Sequence, residues 1–341
     1  MEKITLVDWI GIDTGKENLD VAVRRDSKPH RTLKVSNKQK GFHALLEFAI
    51  KHARPGAELR FCLESTGDYG TEFALFVTDL GYHVSIVNPN KVKHYGAYKG
   101  RLNKTDKADA KLIADFATDS NPEAWGLADP DKRKLFRLHR RRQQLIKIAT
   151  AELNRRECPG AIGPECMASI KAILKLVRSE IRAMNALMRT LVQSNPEFKA
   201  QQDLIVTIPA LAEGSAHVLI AEMPPVEKCE SAKAYAAAAG GHPCLSQSGN
   251  QNKPGRMSRG GRRAVRKQLW MPVQTSLGRM PELRDLYDRL RKRGKKHHQA
   301  QMACVRKLLL IVYGVLNSKK PYQAPKPYSE LPASVCVVLQ I

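Results

Sequence analysis

Between Lys132 and Asn195 glycine and proline all but vanish, the exception being the short segment Pro159-Gly160-Ala161-Ile162-Gly163-Pro164. So long a stretch without helix breakers fits two long helices joined by a turn. In the second, Ile170, Leu174, Val177, Ile181, Met184, Met188 and Leu191 recur at alternating gaps of four and three, a strict heptad seam. Leu135, Leu138, Leu145 and Ala149 approximate the same pattern in the first helix. A helical hairpin or coiled coil is therefore expected over residues 126–200 as a linker between two globular parts. Its stripe serves equally as bundle core or as an oligomerisation seam.

The first 125 residues behave differently, alternating short apolar runs with helical patterns, which points to an α/β layer. Trp9 to Asp13 and Leu19 to Val23 flank a Thr14-Gly15-Lys16 turn and predict an antiparallel hairpin, with Arg31 to Val35 as a third strand. Gly41 to His52 has helical spacing. Leu59 to Glu64 is a buried strand ending in a carboxylate, followed by a Ser65-Thr66-Gly67 turn. Phe73 to Leu80 is then helix, His83 to Val87 strand stopped by Asn88-Pro89, and Thr105 to Ala117 helix with Thr105 as its N-cap.

From Leu204 helices dominate, and Ile208-Pro209-Ala210-Leu211-Ala212 bridges two of them. Pro243 to Gly261, rich in Gly, Ser, Asn and Gln, is expected to be a loop. Arg262 to Leu277 and Pro281 to Leu316 are helical, interrupted near Arg293-Gly294-Lys295, and the proline-rich tail over 321–341 is expected to be flexible. The expected domains are thus 1–125, 126–200, 201–320 and the tail. The C-terminal domain is mainly α.

Charge decides the partner class. Lys and Arg exceed Asp and Glu by 24, a surplus that calls for a polyanion. It is concentrated: Ser246 to Lys320 holds 19 basic and 3 acidic residues, which makes the C-terminal quarter the main phosphate-facing surface. Within it Arg291, Lys292, Arg293, Lys295 and Lys296 form the densest patch, and a solvated face is the alternative reading of such a run. No apolar run approaches the 18 or more residues of a membrane span, and MEKITLVDWIGID lacks the layout of a signal peptide, so a cytoplasmic chain is expected. The seven cysteines are scattered without a C-x-x-C pair, which indicates neither a disulfide framework nor a zinc ribbon. Histidines form no H-x-x-x-H or H-E-x-x-H pattern, and neither a Walker loop nor a dinucleotide fingerprint is present.

Two groups of residues can carry chemistry. Asp13 follows Ile10-Gly11-Ile12 and Glu64 follows Phe61-Cys62-Leu63, so both carboxylates fall at strand ends, where open α/β sheets place their sites. Asp106 and Asp109, at i and i+3, share one helix face. Four carboxylates converging on one point repel one another unless a cation neutralises them, and an all-oxygen set selects Mg²⁺ or Mn²⁺. The second group is Ser248 in Leu245-Ser246-Gln247-Ser248-Gly249, followed by Arg256, Arg259, Arg262 and Arg263. A serine attacking a phosphodiester needs its proton removed and the non-bridging oxygens held, and these arginines can do the latter. On the residues alone Ser246 is indistinguishable from Ser248.

Taken in order, these segments resemble the DEDD insertion-sequence transposases, a family that includes the Piv-type DNA invertases and members guided by a bridge RNA. Gly11-Ile12-Asp13 with Lys16 and Leu19-Asp20-Val21-Ala22 resembles its first strand motif, and Leu63-Glu64-Ser65-Thr66-Gly67 with Tyr69 its glutamate motif. Lys104-Thr105-Asp106-Lys107-Ala108-Asp109-Ala110 resembles its paired-aspartate helix. Gln247-Ser248-Gly249, Gly255-Arg256-Met257-Ser258-Arg259-Gly260 and Arg306-Lys307-Leu308-Leu309 with Ile311-Val312-Tyr313-Gly314 resemble its C-terminal transposase domain. Ala238-Ala239-Gly240-Gly241-His242-Pro243 departs from the usual Gly-Leu-x-Pro there.

The resemblance implies an RNase H-like, RuvC-like N-terminal domain, a coiled-coil segment used in assembly, and a helical domain with a nucleophilic serine. It implies Asp13, Glu64, Asp106 and Asp109 as Mg²⁺ ligands and Ser248 as the residue forming a phosphoserine bond to DNA. The expected partners are the DNA of element ends and target, a guide RNA that supplies sequence choice, and further copies of the chain in a dimer or tetramer. A RuvC-like structure-specific nuclease and a non-catalytic RNA-binding protein are the rival readings.

Overall fold

A computed structural model describes residues 6–24, 29–65, 69–100, 106–125, 129–157, 163–248, 251–258 and 260–324, without the side chains of 106, 107, 243–248 and 251–257. Two compact units divide the chain, residues 1–128 and 129–341.

In the first unit, three strands run as an antiparallel meander, β1 (Val7–Thr14), β2 (Asn18–Val23) and β3 (Arg31–Ser36). Helix α1 (Gln39–His52) leads to β4 (Glu58–Glu64), and α2 (Thr71–Asp79) to β5 (His83–Val87). Both of these strands run parallel to β1, giving the sheet order β3-β2-β1-β4-β5. Period-two alternation sends side chains to opposite faces. Ile10, Ile12, Phe61 and Leu63 meet Phe42 and Leu45 of α1 and Phe73 and Val77 of α2. Trp9, Cys62 and Val87 face Val92 of α3 (Pro89–Tyr98) and Leu112, Ile113, Phe116 and Ala117 of α4 (Asp106–Ser120). A mixed five-stranded sheet in this order, covered by helices on both faces, is the RNase H-like layout that the family resemblance implies.

Helix α3 is a correction to the sequence reading, in which Asn88-Pro89 only stopped a strand. The same two residues start a helix: the Asn88 side chain accepts from the Asn90 amide at 2.9 Å, and Pro89 occupies the first helical position, where a missing N–H costs nothing. The expected N-cap Thr105 lies outside the described residues.

The second unit begins with α5 (Pro130–Arg156), capped by the Asp129 side chain, and α6 (Pro164–Ser194). They pack antiparallel, Leu145 and Ala149 meeting Ile170, Leu174 and Val177, and Arg142 Nε donating to Asn185 Oδ1 at 2.6 Å. At the other end Leu135, Met188, Leu191 and Val192 enter a larger core. That core is built by α7 (Pro196–Val206), α8 (Glu213–Glu222), α9 (Ala232–Ala238), α10 (Arg263–Ser276), α11 (Pro281–Lys292) and α12 (His297–Ser318). The heptad residues therefore bury themselves partly along the hairpin and partly in this core. By length and composition α12 could cross a membrane, which the sequence reading did not anticipate. Its apolar face, including Val305, Leu308, Leu309 and Val312, is fully buried against the neighbouring helices.

The region read as a loop from Pro243 to Gly261 is instead mostly a β-hairpin of β6 (Pro243–Ser248) and β7 (Gln251–Met257), paired in antiparallel register with Ser248 opposite Gln251. Gly, Ser, Asn and Gln make a loop composition, but two polar strands can pair through their backbones without any apolar alternation. The tail beyond residue 324 lies outside the described residues.

Candidate catalytic centre

The site builds up from Gly11. A Cβ placed there would lie 2.3 Å from both the Ala110 carbonyl oxygen and the Ala114 nitrogen, so α4 presses its backbone onto β1 where β1 has no side chain. The neighbours of Gly11 in register are Ala22 on β2 and Cys62 on β4. Small residues thus form a floor across three strands, and Ala22, Ala110 and Ala114 make a buried cluster of their own on it. Burial holds the Cys62 thiol up at about 12, so it stays neutral beneath the helix.

Two residues further along each strand, on the same face, come the carboxylates. Ile12 pairs with Leu63, so Asp13 and Glu64 are the next residues of two parallel strands, both at the carboxyl edge. Helix α4 runs antiparallel to β1: Trp9 clusters with Phe116 and Ala117, whereas Gly11 lies under Ala110 and Ala114. Its N-terminal turn consequently points toward the Asp13 end, bringing Asp109 and the backbone of Asp106 to the same edge. Asp13, Glu64 and Asp109 are half-buried and engaged in interactions, while the Asp106 side chain lies outside the described residues.

The structure adds a carboxylate that sequence reasoning passed over. Asp20, in register with Asp13, belongs to the same row and is only 6% exposed. Its charge is met from β3 by Lys34, whose Nζ lies 3.5 Å from Asp20 Oδ2. The signal was its position two residues before Ala22, which the strand's alternation places on the α4 face.

At its far end α4 is tied down by a charged cluster. Asp119 accepts from Arg24 at 2.8 Å and from the Tyr95 hydroxyl at 2.6 Å, and these two donors hold its carboxyl down at about 2. The donor set at the near end is all oxygen, the chemistry that suits a hard divalent cation. Among the described residues no three His, Cys, Asp or Glu close on a common point.

Ser248 belongs to the second unit, in the last described residue of β6, and its side chain lies outside the described residues, as do those of Arg256 and Arg259. The hairpin's base is well fixed. Arg266 Nη1 donates to the carbonyls of Ala239 at 2.6 Å and Gly260 at 2.9 Å, and the Ser258 amide donates to the His242 carbonyl at 3.1 Å. Gly240 and Gly261 both have positive φ and approach so closely that a Cβ on Gly261 would sit 2.3 Å from the Gly240 nitrogen. Gly240, in the segment that departs from the resembled family, is thus a packing requirement.

Arg262 and Arg263 are both exposed at the start of α10. Arg291, Lys292, Arg293, Lys295 and Lys296 are all exposed at the turn between α11 and α12, where Gly294 takes positive φ and Arg291 Nη1 donates to the Lys295 carbonyl at 2.8 Å. Arg291 and Lys292 lie in the last turn of α11 and Arg293 caps it, at a helix C-terminus that favours cations.

Known proteins bear on these two regions. Residues 10–157 match the DEDD transposase family of the IS110 type, and residues 202–288 match the transposase IS116/IS110/IS902 family. The pilin gene-inverting protein of Moraxella bovis is 28% identical over 317 residues, covering 92% of this chain and 97% of that protein. The corresponding Moraxella lacunata protein is also 28% identical over 317 residues. An insertion element IS116 protein of Streptomyces clavuligerus is 35% identical over 111 residues, 32% of this chain and 27% of its own. Among solved structures, Thermus thermophilus RuvC in complex with a Holliday junction substrate is 17% identical and covers 35% of this chain and 99% of its own, with a TM-score of 0.27. With both halves matched in order, and with the carboxylate-bearing sheet edge in the first, the chain belongs to the IS110 family of DEDD transposases.

Proposed function

We propose that this transposase cleaves and rejoins DNA through a phosphoserine intermediate on Ser248, with Asp13, Glu64, Asp106 and Asp109 holding Mg²⁺ or Mn²⁺. The observation that carries the reading is the register that sets Asp13 beside Glu64 at the edge toward which the first turn of α4 points. In this scheme the Ser248 oxygen attacks the scissile phosphorus, a serine–phosphate bond forms, and a strand hydroxyl leaves with the proton that the serine gives up. Attack by a hydroxyl of the new partner strand reverses the step. Phosphodiester bonds are conserved in number, so no nucleotide triphosphate is needed, in keeping with the lack of a Walker loop in the sequence.

When bound, a divalent cation supplies positive charge to the scissile phosphate and acidifies a coordinated hydroxyl. Arg262 and Arg263, with Arg256 and Arg259, neutralise phosphate oxygens near the serine. Arg291, Lys292, Arg293, Lys295 and Lys296 hold nucleic-acid backbone, and a guide RNA supplies sequence choice by base pairing. The chain acts in the cytoplasm as a homo-oligomer, dimer or tetramer. The test is a denaturing gel of protein incubated with end-labelled element DNA. A covalent protein–DNA species is expected with the native chain and lost in Ser248→Ala. Cut DNA without any adduct would mean hydrolysis, and an adduct that survives Ser248→Ala but disappears in Ser246→Ala would move the nucleophile.

A further inference from the structure

Helix α3 supplies no member of the carboxylate row, yet it begins two residues beyond Val87, the partner of Glu64 in the sheet. From Leu80 to Thr105 the chain has no Asp or Glu, and it has five Lys or Arg: Lys91, Lys93, Lys99, Arg101 and Lys104. The three within the described residues are exposed.

The helix is anchored by its other side. Val92 joins the core under α4, Gly96 abuts the Leu112 side chain, and the Tyr95 hydroxyl donates to Asp119. Lys91, His94 and Tyr98, at i, i+3 and i+7, therefore share the outward face. Tyr98 is 82% exposed, the highest value for a large apolar side chain among the described residues. A lone exposed aromatic is ordinary. This one has a cation attached: Lys99 Nζ lies 6.0 Å from the Tyr98 ring centroid and 5.3 Å from that of Tyr95. The Asp119 carboxylate beneath them is already matched by Arg24 and Lys99, which leaves the strip positive.

We propose that α3 binds unpaired DNA flanking the scissile phosphate, with Tyr98 as the platform for one nucleobase and Lys91, Lys93 and Lys99 as phosphate contacts. The charge excludes a basic partner and calls for a polyanion, and an aromatic ring among lysines matches the alternation of base and phosphate along a strand. An unpaired strand is required because a base within a duplex has both faces already stacked. Ten helical residues extend about 15 Å, which is about four nucleotides at the 3.4 Å spacing of one strand. DNA is chosen over RNA because the strip starts beside Glu64, at the edge proposed to act on DNA, and the inference rests on that reading.

A local readout is needed, since the C-terminal cations also bind nucleic acid. Full-length protein is irradiated with single-stranded DNA carrying 5-iododeoxyuridine, digested with trypsin and sequenced by mass spectrometry. An adduct on Tyr98 in the peptide 94–99 is expected. In anisotropy titrations at raised salt, Tyr98→Ala should weaken single-stranded DNA binding by about 5-fold or more, the lower end expected for one lost stacked base. Tyr98→Phe keeps the ring and should stay within about 2-fold, because stacking does not use the hydroxyl. Lys91→Gln with Lys93→Gln should flatten the salt slope by about 1.4 for two single-strand phosphates. No adduct on that peptide, an equal loss on duplex DNA, or a loss on RNA of the same sequence without one on DNA would overturn the proposal. Asp13→Ala separates the two readings: if it abolishes recombination while the peptide carries no adduct, α3 alone is misassigned; if recombination persists, the reading of the carboxylate edge fails.

Discussion

Gly11→Ala tests whether the approach of α4 to β1 builds the carboxylate edge. The new methyl would lie 2.3 Å from two backbone atoms, Ala110 O and Ala114 N, where ordinary contact begins at 3.4 Å. No rotamer relieves a clash with backbone, so α4 must withdraw by about 1 Å or tilt. Overpacking alone costs about 1–3 kcal/mol. Loosening the Ala22, Ala110 and Ala114 cluster adds to it, so a loss near the top of that range, about 3 kcal/mol, is expected in the unfolding of the first unit. The same displacement carries the first turn of α4 away from Asp13 and Glu64. A misplacement of about 1 Å costs on the order of 100-fold in rate, which sets the expected loss of recombination. Urea unfolding followed by circular dichroism measures the first effect, and a plasmid excision assay the second. Gly314→Ala is the internal control, because Gly314 lies inside α12 and its new methyl would meet nothing within 4 Å; it should stabilise by about 0.5–1 kcal/mol. A Gly11→Ala protein within about 0.5 kcal/mol of the native chain, the ordinary scatter of surface substitutions, would refute the reasoning.

Alanine at Asp13, Glu64, Asp106 or Asp109 should each abolish recombination while leaving nucleic-acid affinity in a gel-shift titration largely unchanged, and full recombination in any one variant would remove that residue from the site. Replacing Arg291, Lys292, Arg293, Lys295 and Lys296 with glutamine should flatten the salt dependence of duplex binding by about 0.9 for each phosphate no longer neutralised, and an unaltered slope would mean that the cluster only faces solvent. Burial, reinforced by Arg142 and Arg140, pushes the fully buried His139 imidazole down to about 4, and neither ring nitrogen has a hydrogen-bond partner among the described residues. The fold thus favours neutral His139, so the stability from this group is fully present above about pH 6.5 and is lost as pH falls toward 4, by at most about 1.4 kcal/mol per pH unit. Glu222 Oε1, 3.6 Å away, is raised by burial and changes stability in the opposite sense, so the comparison is with His139→Leu, whose unfolding midpoint should fall less between pH 6.5 and 4 than that of the native chain. Identical pH profiles would show that His139 does not titrate with unfolding.

The first unit is legible because its side chains report their surroundings. Ile10 and Ile12 point to one face and Trp9 and Gly11 to the other, and this period of two is visible in the order of residues alone. The same alternation puts Asp13 and Glu64 at strand ends. What the sequence could not show is register. Only the pairing of Ile12 with Leu63 makes the two carboxylates neighbours, and only the direction of α4 brings Asp109 to their edge. Asp20 escapes for the same reason: in Leu19-Asp20-Val21-Ala22 it is one polar residue in an apolar strand, and its place beside Asp13 exists only once β1 and β2 are paired.

The serine-bearing segment misleads for the opposite physical reason, since nothing in it alternates. Pro243-Cys244-Leu245-Ser246-Gln247-Ser248 and the strand that follows lack an apolar face, so hydrophobic periodicity is silent there. What holds β6 to β7 is backbone pairing, with a shift in register between Cys244 and Ser246, and what fixes the pair to the unit is Arg266, bridging the Ala239 and Gly260 carbonyls. This changes what Ser248 requires. On a loose loop, a nucleophile would have to be ordered by its substrate, at an entropic cost paid on each encounter. Opposite Gln251 at the end of a paired strand, its backbone is already placed, and the positive-φ glycines Gly240 and Gly261 let the hairpin's base sit against the end of α9. Arg266→Ala should therefore lower recombination more than it lowers nucleic-acid affinity, because it releases the hairpin while Arg262 and Arg263 keep their charge. If adduct formation and affinity fall by the same factor, Arg266 contributes charge alone, and the hairpin needs no such anchor.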